Sequence, residues 1–555
     1  MVTELKVKIR NGETETEFSC PTGTGFDSLA HHFGPLSSPI LAVKVNGEIL
    51  PLSGQLEVNA LLEPVLLEKQ DGSAVYRCSL AFLLAVAAWK LFPDKSLYIG
   101  HSLGHSYYYN FLEDQIPEKE AVKKLEEKMR SLVKEDLPIV CRYMAYAEAM
   151  ETFDRNNQID TALLLNERSE SKVMVNECAG FVDLYIFPLV SRTGLLDVFE
   201  LMPYENGFLL RFPATGKSQL GPLEDNRHLF SVYNEHKKWG RIVGVHSAGK
   251  LNRMISDRTI KEYIQIAEAF QEKKIDEIAN QIYEHKDDVR AILIAGPSSS
   301  GKTTSAKKLS VSLKVMGIKP ISISLDDYYV GTDKTPRDEK GDPDFECLEA
   351  LDVPYLNQQL LSLLAGQEVT LPVFDFRAGQ RRETGGRTIH LDSSTMLIIE
   401  GIHGLNDALT PQIKREKKFK LYVSALTQLN LDDHNRISTT DNRFLRRLVR
   451  DYQFRGAGAV KTMKMWPSVR RGEEKHIFPF QNRADAVLNS ALDYELAVLK
   501  VYAEPLLRSV KPGMKEYSET ARLLSFLENF APIPPQYVPG FSILREFIGD
   551  SEFMY

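Results

Sequence analysis

The chain is 555 residues long, which at ~100–200 residues per domain is too much for one core and predicts about three or four folded units. Its 68 Lys and Arg against 75 Asp and Glu leave a net charge of −7 at pH 7, which excludes a global electrostatic pull toward nucleic acid or an anionic membrane and leaves only a local basic face open. Five cysteines, Cys20, Cys78, Cys141, Cys178 and Cys347, lie far apart with no C-x-x-C pair, which argues against a disulfide framework or a thiolate zinc site and fits a reducing compartment.

In chain order, the opening MVTELKVKIR has no apolar signal core, and the longest apolar run, Leu80–Trp89, is shorter than the ~20 residues that span a bilayer. The expectation is a soluble, cytoplasmic protein with no membrane partner. Residues 3–63 alternate in strand-like pieces, LKVKIR, TETEF and LAVKVNGEIL, with Asn11-Gly12 and Asn46-Gly47 as turn signals, which predicts a small mixed β module. A strand pair, a helix around Phe26–Phe33 and then LAVKVNGEI resembles the TGS domain, the ubiquitin-like β-grasp module at the front of threonyl-tRNA synthetases; it is assigned to 1–64.

From about residue 66 the pattern changes to RCSLAFLLAVAAWKLFP, IGHSLGHSYYYNFL, the charged helix-like EKEAVKKLEEKMRSLVKEDLPI and RYMAYAEAMETF. This order resembles the α+β second additional domain of threonyl- and alanyl-tRNA synthetases, which edits mischarged tRNA, and is assigned to 65–225. In that family an H-x-x-x-H helix and a C-x-G-x-H loop hold zinc. Here the first pair falls on Cys78 and Phe82, and the loop reads Cys178-Ala-Gly180-Phe-Val182, so the set of about four ligands that zinc takes is not supplied. The resemblance thus implies a retained fold whose zinc site and editing chemistry are lost. The polar stretch 216–227 closes this module. In the connector, 226–287, Ile260, Ile264, Phe270, Ile275, Ile278 and Ile282 recur at near-helical spacings and predict an amphipathic helix.

The apolar run Ala291–Ala295 suits a buried parallel strand, and it leads directly into GPSSSGKTT and the helix-forming AKKLSVSLKVMG. The loop satisfies G-x-x-x-x-G-K-[ST]. In that context Gly296, Ser298, Ser299, Ser300, Gly301, Lys302, Thr303 and Thr304 form the expected phosphate cradle, with Lys302 neutralising terminal phosphates and the Thr303 hydroxyl suited to Mg²⁺. A second apolar strand, Ile321–Leu325, ends in Asp326-Asp327-Tyr328-Tyr329, and a third, Met396–Ile399, ends in Glu400-Gly401. Ligands collect at such strand ends, so these carboxylates are candidates for holding Mg²⁺ and for taking a proton from an attacking hydroxyl. In RFLRRLVRDYQFRG, Arg443, Arg446, Arg447 and Arg450 recur every three or four residues, a spacing that lets guanidinium groups share a helix face and clamp phosphates.

Together these motifs, from about 288 to 500, are similar to the uridine kinase and phosphoribulokinase group of P-loop kinases. The family's Q-D-S-F-Y-like catalytic Asp falls on Asp326, a second-strand position also suited to metal, and Tyr329 on its aromatic pair. The ribose-contacting F-D-H-P-D-A-F-D segment is echoed by Phe345-Glu346-Cys-Leu-Glu349-Ala-Leu-Asp352, with Glu346 in the ribose-binding place. P-V-Y-D-F corresponds to Pro372-Val-Phe374-Asp-Phe376, an aromatic wall, but the histidine three residues further on is Gly379 here. Glu400 matches the Mg²⁺-associated acid. The run Arg443–Gly456 matches the lid helix, which places Arg447 toward the nucleoside and Arg450 and Arg455 toward phosphates; a further lid arginine is Ala457.

The resemblance implies an α/β P-loop kinase with a parallel sheet over 288–510, followed by a C-terminal extension over 511–555. It implies an ATP- or GTP-dependent, Mg²⁺-requiring phosphotransferase acting on the 5′-hydroxyl of a ribonucleoside, organised as a homo-oligomer. A kinase for another small hydroxyl metabolite is the alternative, since Gly379 and Ala457 lie where substrate contacts are expected. The front modules also leave a tRNA- or ribosome-associated P-loop regulator as a less favoured reading.

Overall fold

The computed structural model describes residues 4–554 except 13, 112–117, 224, 226, 339–340, 376–377, 383 and 393. At the front, the hairpin Glu4–Asn11/Thr14–Pro21 joins Ala60–Leu66, which runs parallel to its first strand, and then Ile40–Val45 and Glu48–Leu50. The helix starting at Phe26 packs on this sheet through Phe26 and Leu29, as a β-grasp unit requires. The second hairpin turns at Asn46 (φ 50°) and Gly47 (φ 90°), the left-handed pair that Asn-Gly supplies at low cost.

The next module opens with the helix Gln70–Leu91. It is long and apolar enough to cross a membrane by length and composition, but it serves as a core helix: Val75, Leu80, Leu83, Leu84 and Val86 have no exposure. The charged helix Lys119–Glu135 covers it through Val122, Leu125, Met129 and Leu132, the one apolar stripe among its charges. Two antiparallel sheets complete the module, Val140–Ala145/Lys172–Cys178/Phe181–Leu184 and Leu97–Ser102/Ser106–Phe111/Gly207–Arg211/Glu200–Tyr204. The predicted amphipathic helix of the connector is Ile260–Glu284, preceded by helices Arg227–Val243 and Ala248–Ser256.

The back half is built on a five-stranded parallel sheet, ordered Lys319–Ser324, Thr395–Glu400, Ala291–Ala295, Lys418–Ser424, Ala486–Asn489. Its central strand is buried on both faces. Ile292 and Ile294 meet Ala306, Leu309 and Leu313 of the following helix, while Leu293 meets Leu356, Leu360 and Leu363 of helix Val353–Leu364 on the other face. Period-two alternation between two covered faces is why this strand reads as a continuous apolar run.

One core crosses the expected unit boundaries. Phe153 and Leu164, Ile264, Leu445 and Leu448, and Leu527 and Phe547 belong to a single buried cluster, so the stretch after 511 is packed into the molecule through helix Tyr517–Glu528 and the segment behind it. A loop of the back half, residues 429–437, docks on the second module. Asn430 donates to the Ile99 carbonyl (2.8 Å), the Asp433 carboxylate accepts from the Thr161 N–H (2.9 Å) and hydroxyl (3.0 Å), and His434 Nδ1 pairs with Asp183 (2.9 Å). Burial alone would lower His434, but Asp183, Asp433 and Asp432 hold it protonated up to about 9. Its ring also meets Phe181, inside the Cys178–Val182 turn, so the face beside that turn is occupied by the chain itself.

Candidate functional site

The phosphate loop joins the central strand to helix Lys302–Val315, at the carboxyl edge of the sheet. Gly296 is obligatory because a Cβ there would strike the Val423 carbonyl of the neighbouring strand. Gly301 sits at φ +81° as the cap of the helix, and Ser299 takes φ +59°, so the backbone curls as an anion-binding nest does. Lys302 folds back onto the Pro297 carbonyl (3.2 Å), which leaves its charge over the loop. Thr303 donates to both Glu400 oxygens (3.1 and 3.3 Å).

Glu400, at the end of the adjacent strand, is pushed up to about 7 by burial; Lys302 works against that shift, and Asp326 and Glu546 add to it. A half-buried carboxylate beside a hydroxyl, with the further negative charges of Asp326 and Glu546 near it, fits a hard divalent cation such as Mg²⁺, with Thr303 and Glu400 as the residues that would hold it. Asp326 stands exposed in the turn Leu325–Tyr328 after the outer strand, and its charge is felt by Glu346, Glu400, Tyr329 and Arg455. Its neighbour Asp327 is committed elsewhere: its carboxylate accepts the Phe374 N–H (3.1 Å).

Across the cleft Tyr329 sits edge-on to Phe374 (5.6 Å between ring centres) and donates to the Phe345 carbonyl (3.2 Å); of the two rings expected to form the wall, Phe374 makes this contact and Phe376 lies outside the described residues. The half-buried Glu346 carboxyl is pushed up to about 7 by burial, with Glu473 adding to the shift and Arg447 and Lys302 opposing it. Gly379 has φ +67°, and a Cβ there would come 2.5 Å from the Thr332 hydroxyl. A side chain at this position would therefore sit on a left-handed backbone and crowd Thr332, which favours glycine where the family's histidine is expected.

The arginines of helix Thr439–Arg455 divide differently from their spacing. Arg443 and Arg446, 1% and 0% exposed, point beneath the loop into buried ion pairs. Arg443 forms a two-pronged pair with Glu473 (2.5 and 2.8 Å) and donates to the Ser298 carbonyl (3.0 Å); Arg446 pairs with Glu495 and reaches the Ser299 and Ser490 carbonyls (3.4 and 2.8 Å). Arg447 donates to the Ser298 hydroxyl (2.7 Å). Arg447, Arg450 and Arg455 all approach one carboxylate, Asp451 (3.2, 2.9 and 3.8 Å), which holds the three guanidiniums together. The Ser300 carbonyl is taken by the Ser490 hydroxyl (2.5 Å).

Two site residues have no signature in the motif. Glu473, fully buried in helix Ala459–His476, accepts the Ser298 N–H (2.9 Å) as well as Arg443 and Arg470. Burial alone would raise it, but Arg443 and Arg470 hold it below the ordinary glutamate range. Beside it, a Cβ at Gly472 would collide with the Glu346 side chain, so a glycine here lets this helix pack directly against Glu346. Glu546, from the chain's last segment, accepts from the Thr304 N–H (3.1 Å) and hydroxyl (2.5 Å).

Residues 291–497 match the model of the Phosphoribulokinase / Uridine kinase family. The front half matches threonine–tRNA ligases, among them that of Desulforamulus reducens (32% identical over 226 residues, 38% of this chain and 35% of the relative) and that of Thermoplasma volcanium (34% over 165 residues, 29% and 24%). The chain thus spans about a third of the length of the curated relatives it matches. Among solved structures it is similar to a possible uridine kinase from Bacillus stearothermophilus (25% identity, 39% of this chain and 98% of that one, TM-score 0.27). It is also similar to the phosphoribulokinase of Rhodobacter spheroides (15%, 36% and 69%, TM-score 0.25).

Proposed function

Taking as premise that this chain carries a phosphoribulokinase/uridine kinase family domain behind a threonyl-tRNA synthetase-like front half, we propose that it is a nucleoside kinase that transfers the terminal phosphoryl group of ATP to the 5′-hydroxyl of a ribonucleoside. The observation that carries this reading is the convergence of Asp326, Lys302 and the Thr303–Glu400 pair on one sheet edge, opposite the Tyr329–Phe374 wall and Glu346. The exposed Asp326 accepts the proton of the attacking hydroxyl as its oxygen bonds to the terminal phosphorus and the bond to the ADP oxygen breaks. Lys302 and the lid arginines Arg450 and Arg455 face the charge that spreads over the transferred group. Thr303 and Glu400 would hold Mg²⁺, which would supply positive charge against the phosphates. Glu346 accepts ribose hydroxyls and Arg447 orients the acceptor. ATP is the donor we infer; no feature of the site favours GTP.

A kinase for another small hydroxyl compound is the second reading, favoured by Gly379, because a residue without a side chain stands where a base-reading side chain is expected. A tRNA-directed role for the front half has less support, since loop 429–437 covers the face beside Cys178–Val182. Incubating the protein with Mg²⁺ and ATP against ribonucleosides, deoxyribonucleosides and small alcohols, and identifying the phosphate esters formed, decides among them. Ribonucleoside 5′-monophosphates are expected; an ester of a non-nucleoside alcohol alone would transfer the case to the second reading.

A further inference from the structure

The last described segment of the chain lies on the phosphate loop. Thr304 occupies the first turn of the loop's helix, where backbone N–H groups and the positive end of the helix hold phosphate oxygens. Both of its polar groups, N–H (3.1 Å) and hydroxyl (2.5 Å), are given to a single oxygen of Glu546. Ile543 packs so close to Gly301 that a Cβ there would come within 2.7 Å of it, and Phe547 lies under the Arg446 guanidinium (5.0 Å). One turn on, Lys307 donates to the Met554 carbonyl, and Lys308 lies over the Phe541 ring (5.0 Å).

This contact is not a frayed end resting on the surface. Arg545 donates to the carbonyls of Pro535 (3.0 Å), Val538 (2.6 Å) and Gly549 (3.3 Å), tying the segment into a closed loop, and Ile543, Leu544 and Phe547 have no exposure. The backbone is therefore fixed, and the Glu546 side chain is presented to the helix N-terminus as an anchored anion. A carboxylate and a nucleotide phosphate need the same donors and carry the same sign of charge, so they exclude each other there.

We propose that the segment around Glu546 is a built-in competitor of the donor nucleotide: its carboxylate occupies a phosphate position of the loop and has to leave before ATP is fully bound. This rests on the reading of 296–304 as the donor site. Its consequence is a nucleotide affinity held down by the chain itself, relieved when the Glu546 side chain swings off the loop while its backbone stays in place.

The test is the equilibrium affinity for Mg²⁺·ATP and ADP, measured by calorimetry on the full chain as wild type, Glu546→Gln, Glu546→Ala and Lys302→Ala. Glu546→Gln keeps the side chain's shape while removing its charge. Loss of a charge-assisted contact that opposes the ligand should tighten nucleotide binding by about 10–100-fold in both Glu546 variants, with Lys302→Ala weakened. Unchanged affinity in both Glu546 variants would overturn the proposal while leaving the donor site standing. Weaker binding would do the same and would make Glu546 part of the nucleotide's own pocket. Nucleotide binding that ignores Lys302→Ala, or none at all in any form, would remove the donor-site reading and the proposal with it.

Discussion

Replacing Glu473 by alanine isolates what holds the phosphate loop in shape. The wild-type carboxylate has no exposure and receives two bonds from Arg443 (2.5 and 2.8 Å), one from Arg470 (2.7 Å) and one from the Ser298 N–H (2.9 Å). Alanine leaves the 1%-exposed Arg443 guanidinium without its counter-ion and unties Ser298 from the lid region. Stranding one partner of a buried pair costs about 3–5 kcal/mol, a large part of the ~5–15 kcal/mol that holds a typical domain together. A urea titration followed by tryptophan fluorescence should show a loss of that size, and calorimetry should show ATP binding weakened about tenfold, the equivalent of one charge-assisted hydrogen bond. The double variant Arg443→Met with Glu473→Leu separates the two effects. It removes both charges and should recover stability to within ~1 kcal/mol, because a buried pair replaced by apolar groups is often neutral, yet leave ATP binding weak because Ser298 stays untethered. A Glu473→Ala protein within ~0.5 kcal/mol of wild type and with unchanged ATP affinity would refute the reasoning.

Burial raises Glu346 to about 7, and only the ionised form can accept hydrogen bonds from two hydroxyls without presenting a donor of its own, so at saturating Mg²⁺ and ATP the acceptor KM should fall as pH rises from 6 to 8; Glu346→Gln should flatten that profile and raise KM at pH 8. An unchanged profile in the variant would place the acceptor elsewhere. His434 is held up to about 9 against an ordinary value of ~6.5, so its contribution to stability is complete below about pH 6.5 and is lost as pH rises through 9. The stability difference between wild type and His434→Gln, from urea titrations at several pH values, should therefore be larger at pH 6 than at pH 10 by on the order of 3 kcal/mol; a difference that grows with pH would contradict the ion pair with Asp183.

Much of the fold was legible because the signals were local. The run Ala291–Ala295 is continuous because both faces of its strand are covered, Asn46-Gly47 supplies the two left-handed residues that its hairpin needs, and Lys119–Glu135 shows a single apolar stripe. The phosphate loop was legible for the same reason, as strand, glycines and helix are contiguous. Helical spacing, by contrast, reports that residues share a face and not what the face meets. Arg443 and Arg446 look like ligand clamps until Glu473 and Glu495 are seen opposite them. The partners that the motif did not announce, Glu473 for Ser298 and Glu546 for Thr304, lie 175 and 242 residues away in the chain, and a glutamate in a charged helix or a terminal segment carries no local mark of being buried against a loop. The docking of 429–437 on the second module was hidden likewise, since the partners of Asp433 and His434, Thr161 and Asp183, lie 272 and 251 residues away in the chain.

The central claim is phosphoryl transfer with Asp326 as the base, and it is tested most directly by comparing wild type with Asp326→Asn at saturating Mg²⁺ and ATP, with turnover of the accepted ribonucleoside and the ATP dissociation constant measured on the same preparations. Asp326 is exposed and its side chain is not committed to the fold as Asp327's is, so asparagine should leave both stability and ATP affinity intact. The account predicts turnover reduced by the ~10²–10⁴-fold that loss of a general base costs, with ATP binding unchanged. Turnover within about twofold of wild type would contradict it and take Asp326 out of the chemistry.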